Sequence, residues 1–361
     1  MSAVLAPVVA PSAATARLVL LGTGGVGRAL LRRIADLRGR DLVSGIDLVG
    51  VANSRRGVRG DALQPLQALN PVAPLSRATS LEWVDEIHSS PLSGRRIVID
   101  ATASDLVAAR HAHWLAQGID VVTANKLGQG ASLLRWQAIR AAQGNGRARY
   151  GDAATVGAGL PLLRTIRALT AGGDQIDAIS GVLSGSLAWL FDQFDGHRPF
   201  SDWVREARDR GYTEPDPRED LSGADVRRKL LILVRAAGVA LDEHDITVAP
   251  LLDDVLAGVD REGVDAALSR LDGPLRLRLD AARSRNARLR VVARWRHGAA
   301  SVGLEAVALD DELARGGGTD NRIVIHSTRY RERPLVIQGP GAGADITAAA
   351  LLDDVLELAS R

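Results

Sequence analysis

The sequence predicts an α/β chain of two domains: a doubly wound parallel sheet first, then an α+β domain. Three observations carry this. From Arg17 to Tyr150 short apolar runs alternate with helix-like stretches, the pattern of a parallel sheet covered on both faces. A glycine-rich turn separates the first strand from the first helix. Beyond Tyr150 the texture changes to helices and alternating strands.

Leu18–Leu21 is the first strand, and a helix begins near Gly25. Leu48–Ala52, Ile97–Asp100 and Asp120–Thr123 are further strands, followed by a helix over Ser132–Ala142. After them come a helix from Pro161 to Leu169 and one from Ser222, as N-cap, to about Ala237. That helix has Val226, Leu230, Leu233 and Ala237 as its core stripe. Leu289–Trp295, Ser301–Val307 and Arg322–His326 alternate as strands of an antiparallel sheet with one buried face. Residues 344–361 read as an amphipathic helix returning to the first domain. The expected domains are thus 16–150, completed by 335–361, and 151–334, after a loose Ala/Val/Pro-rich tail at 1–15.

Composition narrows the function. The 361 residues are 46% apolar and 24% charged, ordinary globular values. Basic and acidic residues nearly cancel at 45 against 43, with no basic run interleaved with aromatics, so nucleic acid is not an expected partner. No apolar run approaches the roughly 20 residues of a membrane span, and the N-terminus lacks a cationic secretory start. A cytoplasmic enzyme is the expectation. There is no cysteine, which removes thiolate nucleophiles, disulfides and Cys-based metal sites.

The turn Gly22-Thr23-Gly24-Gly25-Val26-Gly27 stands where a Rossmann-type domain holds a pyrophosphate. Gly22 permits the tight turn, Gly24 close approach of phosphate, and Gly27 close packing of helix on strand. A plain glycine turn is the alternative. At the end of the second strand, where NAD enzymes offer a carboxylate to the ribose, stands Asn53-Ser-Arg55-Arg56. With no carboxylate to repel a 2′-phosphate and guanidiniums to hold one, NADP is favoured over NAD, unless the arginines are simply a solvated loop. Thr102 and Ser104 follow another strand end, to line the nicotinamide or to cap a helix.

Only two lysines occur, Lys126 and Lys229, against 43 arginines. Arginine does not release a proton near neutrality and lysine can be tuned to do so, which singles both out for acid/base work. Lys126 follows a strand end on the ligand-facing edge. Lys229 lies four residues after Asp225 on one helix face, downstream of a Pro-stiffened acidic loop carrying Glu214 and Asp220. An Asp–Lys pair at this spacing is by itself most often a solvated surface pair. The rigid acidic loop and the apolar flanks of Lys229 point instead to an ammonium held among carboxylates at a cleft, passing a proton to a developing alkoxide.

The stretch Gly211–Lys229 resembles the signature of homoserine dehydrogenases, and Thr155–Pro161, Ser184–Leu187 and Gly339–Ala348 are similar to further motifs of that family. The resemblance runs over nearly the whole chain from Arg17 and implies the short monofunctional form, without kinase or regulatory domain. It implies NAD(P)H-dependent interconversion of aspartate 4-semialdehyde and homoserine, on the route to threonine and methionine. Lys229 is then the proton donor and Lys126 the cofactor-side lysine that supports catalysis. Glu214, Asp220, Asp225, Gly185 and Ser186 take the substrate, Gly341 and Gly343 join the cofactor residues, and the second domain builds a homodimer. The backbone carbonyls of Val156, Ala158 and Leu160 are candidates for a monovalent cation, sodium, although Ala153 replaces a glutamate that often helps to bind it.

Rival readings each meet an obstacle. Aldehyde-oxidising dehydrogenases need a cysteine. Short-chain dehydrogenases need Tyr-x-x-x-Lys, and Val122 and Asp225 stand where the tyrosine belongs. A non-enzymatic dinucleotide sensor keeps the glycine turn but has no use for Lys229. A dehydrogenase of another amino or hydroxy acid is the remaining alternative.

Overall fold

A computed structural model describes residues 16–360 apart from 39, 41, 44, 61–62, 71–72, 75–80, 87–93 and 145, so the expected tail at 1–15 lies outside the described residues. The chain divides into two compact units. One takes the chain up to Asn125, Ile139–Asp152 and the part from Ala348 onward; the other takes Lys126–Ala138 and Ala153–Thr347.

The first unit is built on a seven-stranded sheet. Its strands are β1 (Ala16–Leu21), β2 (Ile46–Ala52), β3 (Arg56–Arg59), β4 (Ala73–Pro74), β5 (Arg96–Asp100), β6 (Asp120–Thr123) and β7 (Tyr150–Gly151), in the order β4-β3-β2-β1-β5-β6-β7. The run from β2 to β7 is parallel. Leu18, Val19 and Leu20 of β1 and Ile97, Val98 and Ile99 of β5 are all fully buried. Burial on both faces is what a continuous apolar run in a parallel sheet signifies. The edge strands β3 and β4 are antiparallel and were not expected, because Arg-Gly-Val-Arg is too short and too charged to read as a strand. The helix Gly25–Arg38 buries Gly27, Leu30, Leu31 and Ile34, spaced i, i+3, i+4, i+7. The chain reverses its direction of winding between β1 and β5, and a crevice opens outside the carboxyl ends of these two strands.

The second unit carries a six-stranded sheet of β8 (Ile176–Val182), β9 (Ile246–Val248), β10 (Ala287–Arg296), β11 (Ala299–Ala308), β12 (Asp320–Ser327) and β13 (Leu335–Pro340), in the order β13-β12-β8-β10-β11-β9. The expected antiparallel sheet is therefore mixed, since β9 joins β11 in parallel. The tight β10–β11 hairpin turns through His297 (φ 50°) and Gly298 (φ 83°) and leaves the outer edge of β11 open. Ile246–Val248 fills that edge and buries Ile246. Because β13 pairs with β12, the segment 335–347 belongs to this unit and does not complete the first domain as expected.

The helix Ala224–Ala236 is wrapped in this core: Val226, Leu230, Leu231, Ile232, Leu233 and Val234 are at most 2% exposed, while Ala237 is only half-buried. Its N-cap is Gly223 in the left-handed region, not Ser222, whose hydroxyl instead donates to the Glu219 carbonyl. Asp225 is consequently not spent on a capping box. No helix among the described residues is long and apolar enough to cross a membrane.

Candidate active site

In the first unit, a cleft of about 620 Å³ opens at the reversal between β1 and β5. Gly22, Thr23, Gly24, Asn53, Thr102 and Ser104 line it. Gly22 has φ +102°, and a side chain there would meet the Ala101 carbonyl oxygen at 2.6 Å. Nothing lies within 4 Å of a Cβ placed at Gly24, which leaves its backbone open to an approaching group. Gly25, Val26 and Gly27 form the first turn of the helix Gly25–Arg38, whose unpaired N–H groups favour an anion.

Gly27 touches the turn itself rather than chiefly the strand: an added Cβ would sit 1.9 Å from the Gly22 carbonyl oxygen. Gly27→Ala is therefore expected to destabilise the fold by about 1–3 kcal/mol through overpacking and to weaken dinucleotide binding, read from urea midpoints and cofactor titration. An unchanged variant would show that the turn does not need this contact.

The Asn53 carboxamide donates to Thr23 Oγ1 (2.9 Å) and accepts from the backbone N–H groups of Arg55 and Arg56 (2.9 Å each), so it knits the two cofactor loops together. Arg55 is exposed beyond it. Thr102 does not cap a helix: its hydroxyl donates to Asp100 Oδ1 (2.7 Å) and accepts from Ser104 N (3.1 Å). Ser104 is the N-cap of Asp105–Ala108 without a side-chain cap bond. Asp100, fully buried, also holds His111 Nε2 (3.0 Å) and Asn125 Nδ2 (2.9 Å). This carboxylate orders the cleft wall and went unnoticed in the sequence because it reads as a strand end.

In the second unit the helix Ala224–Ala236 presents Asp225 and Lys229 one turn apart. Lys229 is 8% exposed, and its Nζ donates to the Leu183 carbonyl (2.8 Å) and lies 2.9 Å from Asp225 Oδ2. Asp225 Oδ1 is 3.4 Å from Lys126 Nζ. One carboxylate thus sits between both lysines of the chain. Burial opposes its ionisation, but the ammonium groups of Lys229 and then Lys126 outweigh burial and hold the carboxyl at about 2. Lys126, Gly341 and Gly343, expected at the cofactor, belong to this second unit. Gly341 packs on the Asn321 carboxamide, and Gly343 (φ +127°) precedes the helix Ala344–Ala359.

From Leu183 the chain runs into Ser184-Gly185-Ser186, the start of the helix Gly185–Gln193. The Ser184 hydroxyl caps it by accepting from Leu187 N, and it also bonds Ser186 Oγ (2.9 Å). Gly185 lies against the Thr319 carbonyl, where a Cβ would come within 2.8 Å. Ser186 donates to Asp220 Oδ1 (2.5 Å), and Asp220 Oδ2 accepts from Glu214 N (2.9 Å). Asp220 spends both oxygens positioning its neighbours, while Glu214 stays exposed. A continuous polar path therefore joins Lys126, Asp225, Lys229, the Leu183–Ser186 turn, Asp220 and Glu214.

Val156 and Ala158 lie in a buried turn where Gly157 (φ +74°) and Ala158 (φ +52°) are both left-handed. The Leu160 carbonyl already accepts from Leu162 N (2.8 Å). No cluster of three or more His, Cys, Asp or Glu suited to a metal occurs among the described residues.

Comparison with known proteins places the chain in a family. The family model for the homoserine dehydrogenase NAD-binding domain matches residues 22–150, and the homoserine dehydrogenase model matches 161–356. A homoserine dehydrogenase of Emericella nidulans is 33% identical, over 95% of this chain and 98% of its own length. The chain belongs to the homoserine dehydrogenase family. It is also 39% identical to the Escherichia coli bifunctional aspartokinase/homoserine dehydrogenase 2 and 35% identical to an Arabidopsis thaliana counterpart, but spans only 43% and 39% of those proteins. Among solved structures, a Candida auris protein of unknown function superposes with a TM-score of 0.88 at 30% identity, over 96% of this chain and 99% of that one. A hyperthermophilic archaeal homoserine dehydrogenase in complex with NADPH shares the fold at a TM-score of 0.72 and 22% identity, over 94% and 96% of the two chains. As a homoserine dehydrogenase family member, the chain has an NAD(P)-binding domain in its first part.

Proposed function

We propose that the chain is a homoserine dehydrogenase that reversibly reduces L-aspartate 4-semialdehyde to L-homoserine, in threonine and methionine biosynthesis, with Lys229 as proton donor. The observation that carries this is the state of Lys229. An ammonium has three donors, and two of those on Lys229 are taken, by Leu183 O and Asp225. Among the described residues the third has no partner, which leaves it for a carbonyl oxygen of the substrate.

A bound nicotinamide supplies the hydride. The residues of the chain do the rest. As negative charge develops on the aldehyde oxygen, Lys229 gives it a proton, and in the reverse direction the neutral amine takes the hydroxyl proton back. Asp225 fixes the direction of Nζ, and Lys126 shares that carboxylate from its other side. Glu214, exposed and free to bend to an ammonium, takes the amino group of the substrate. Asp220 and Ser186 hold the loop that carries it, beside Gly185.

Gly22 to Gly27, Asn53, Thr102 and Ser104 would hold the dinucleotide. NADP is the preferred form. Asn53, where NAD enzymes place a carboxylate, is consumed by loop hydrogen bonds, and Arg55 is free to reach a 2′-phosphate. Initial rates of homoserine oxidation with NADP and NAD side by side test both proposals, and no turnover with either ends the enzyme reading. Arg55→Ala is expected to raise KM for NADP by roughly tenfold or more, the cost of a charge-assisted hydrogen bond, and to leave NAD untouched. An equal effect on both cofactors would remove the 2′-phosphate role.

The same reading includes a cytoplasmic homodimer built on the second unit's sheet, with sedimentation mass as its test. It also includes a sodium ion on the Val156 and Ala158 carbonyls. Leu160, whose carbonyl is engaged, is the weakest of the three expected ligands.

A further inference from the structure

Arg235, near the end of the helix Ala224–Ala236, is 1% exposed. Burial pulls its guanidinium down to about 10 from its ordinary range. Among the described residues its hydrogen bonds run to backbone carbonyls alone. Nη1 donates to Gln129 O (2.6 Å) and Ala131 O (2.7 Å), while Nε (3.0 Å) and Nη2 (2.9 Å) donate to Leu241 O. The Trp136 ring lies 5.7 Å from the guanidinium carbon. A buried cation costs several kcal/mol in desolvation, and a well-packed apolar residue is often as stable or more so. Stability alone therefore does not explain an arginine here.

What Arg235 grips is the loop Lys126–Ala131. Gly130 N donates to the Lys126 carbonyl (2.8 Å) and closes this loop into a turn. The turn is pressed onto the same helix, since a Cβ at Gly130 would fall 2.5 Å from Arg228 Cγ and 2.8 Å from the Lys126 carbonyl oxygen. At the other end of the helix, about 15 Å away at 1.5 Å per residue, Asp225 receives the Lys126 ammonium. One helix thus presents Asp225 and Lys229 and also clamps the loop that returns Lys126 to them.

We propose that Arg235 is a positioning residue for the reaction: by holding the carbonyls of Gln129 and Ala131 it sets the loop that places Lys126 on Asp225. This rests on the reading above that Lys126 supports catalysis. A planar fork can span carbonyls of two chain segments, 129–131 and 241, whereas a single ammonium nitrogen offers no such fixed spread.

A double-mutant cycle on the full chain tests it, with Lys126→Ala, Arg235→Met and the pair. Each single variant is expected to lose at least about tenfold in kcat, the scale of a misplaced catalytic group. In the Lys126→Ala background, Arg235→Met then changes kcat by less than about twofold, because the residue it acts through is gone. KM for the dinucleotide stays near normal, and the fall in Tm is the same in both backgrounds. Losses in kcat that multiply, or a kcat untouched by Arg235→Met while Lys126→Ala loses it, overturn the role of Arg235 alone. Normal kcat in Lys126→Ala overturns the reading of Lys126, and this inference with it. If Arg235→Met does not fold, Gly130→Ala displaces the same loop with Arg235 intact. It must show the same non-additivity with Lys126→Ala, and multiplicative losses there likewise refute the clamp.

Discussion

Lys229→Arg is expected to fold and bind dinucleotide normally while losing roughly 10²–10⁴-fold in kcat, the range that a positioned general acid contributes. The substitution keeps the charge, so Asp225 retains a cationic neighbour. What it removes is the ability to cycle a proton, because guanidinium does not deprotonate in the working range of an enzyme. Geometry adds to the loss. The ammonium is held between the Leu183 carbonyl at 2.8 Å and Asp225 at 2.9 Å in a site only 8% exposed, and a longer planar group cannot keep both bonds and leave one donor at the same point. Steady-state kinetics in both directions, with circular dichroism to confirm folding, read the result. Near-normal turnover would take Lys229 out of the mechanism.

Lys229 was legible in the sequence for a reason that also limited what else could be read. In a chain with 43 arginines and two lysines, a surviving lysine stands out and an individual arginine does not. Arg235 follows the apolar run Leu230–Val234 and reads as a cation placed to suit a helix C-terminus, yet the fold buries it. Its signal was position: five apolar residues, Leu230–Val234, precede it directly. The parallel core of the first unit was readable because β1 and β5 carry the apolar runs Leu18–Leu21 and Ile97–Ile99, ended by Gly22 and Asp100. The edge strands β3 and β4 and the pairing of β13 with β12 depend on non-local contacts that local pattern does not encode. The cap at Gly223 was missed because Ser222 is the better N-cap by composition, and only the left-handed turn at 223 shows which residue starts the helix. Where the sequence suggested a surface pair at Asp225 and Lys229 as the commoner outcome, the decisive fact was three-dimensional: Leu183, 46 residues before Lys229, accepts from its ammonium, and Lys126, 99 residues before Asp225, meets the other oxygen of that carboxylate.

Asp225→Asn should separate the two things that carboxylate does. In catalysis it orients Nζ of Lys229, and an amide that cannot accept in the same way misplaces the donor; a loss on the order of 10²-fold in kcat is the expected scale for about 1 Å of displacement. In stability the sign follows from its depressed pKa. The folded carboxyl titrates at about 2 against an ordinary 3.8, so its contribution is fully present above pH about 4 and is lost as pH falls through about 2. The asparagine variant lacks that contribution at every pH. Urea midpoints of the two proteins should therefore differ at pH about 6 and converge between about 4 and 2, with no such convergence for a carboxylate that has no cationic partner. A gap independent of pH would mean that the substituted amide merely packs badly. Ordinary kcat together with a closing gap would mean that the Lys126–Asp225–Lys229 arrangement stabilises the fold without serving the chemistry.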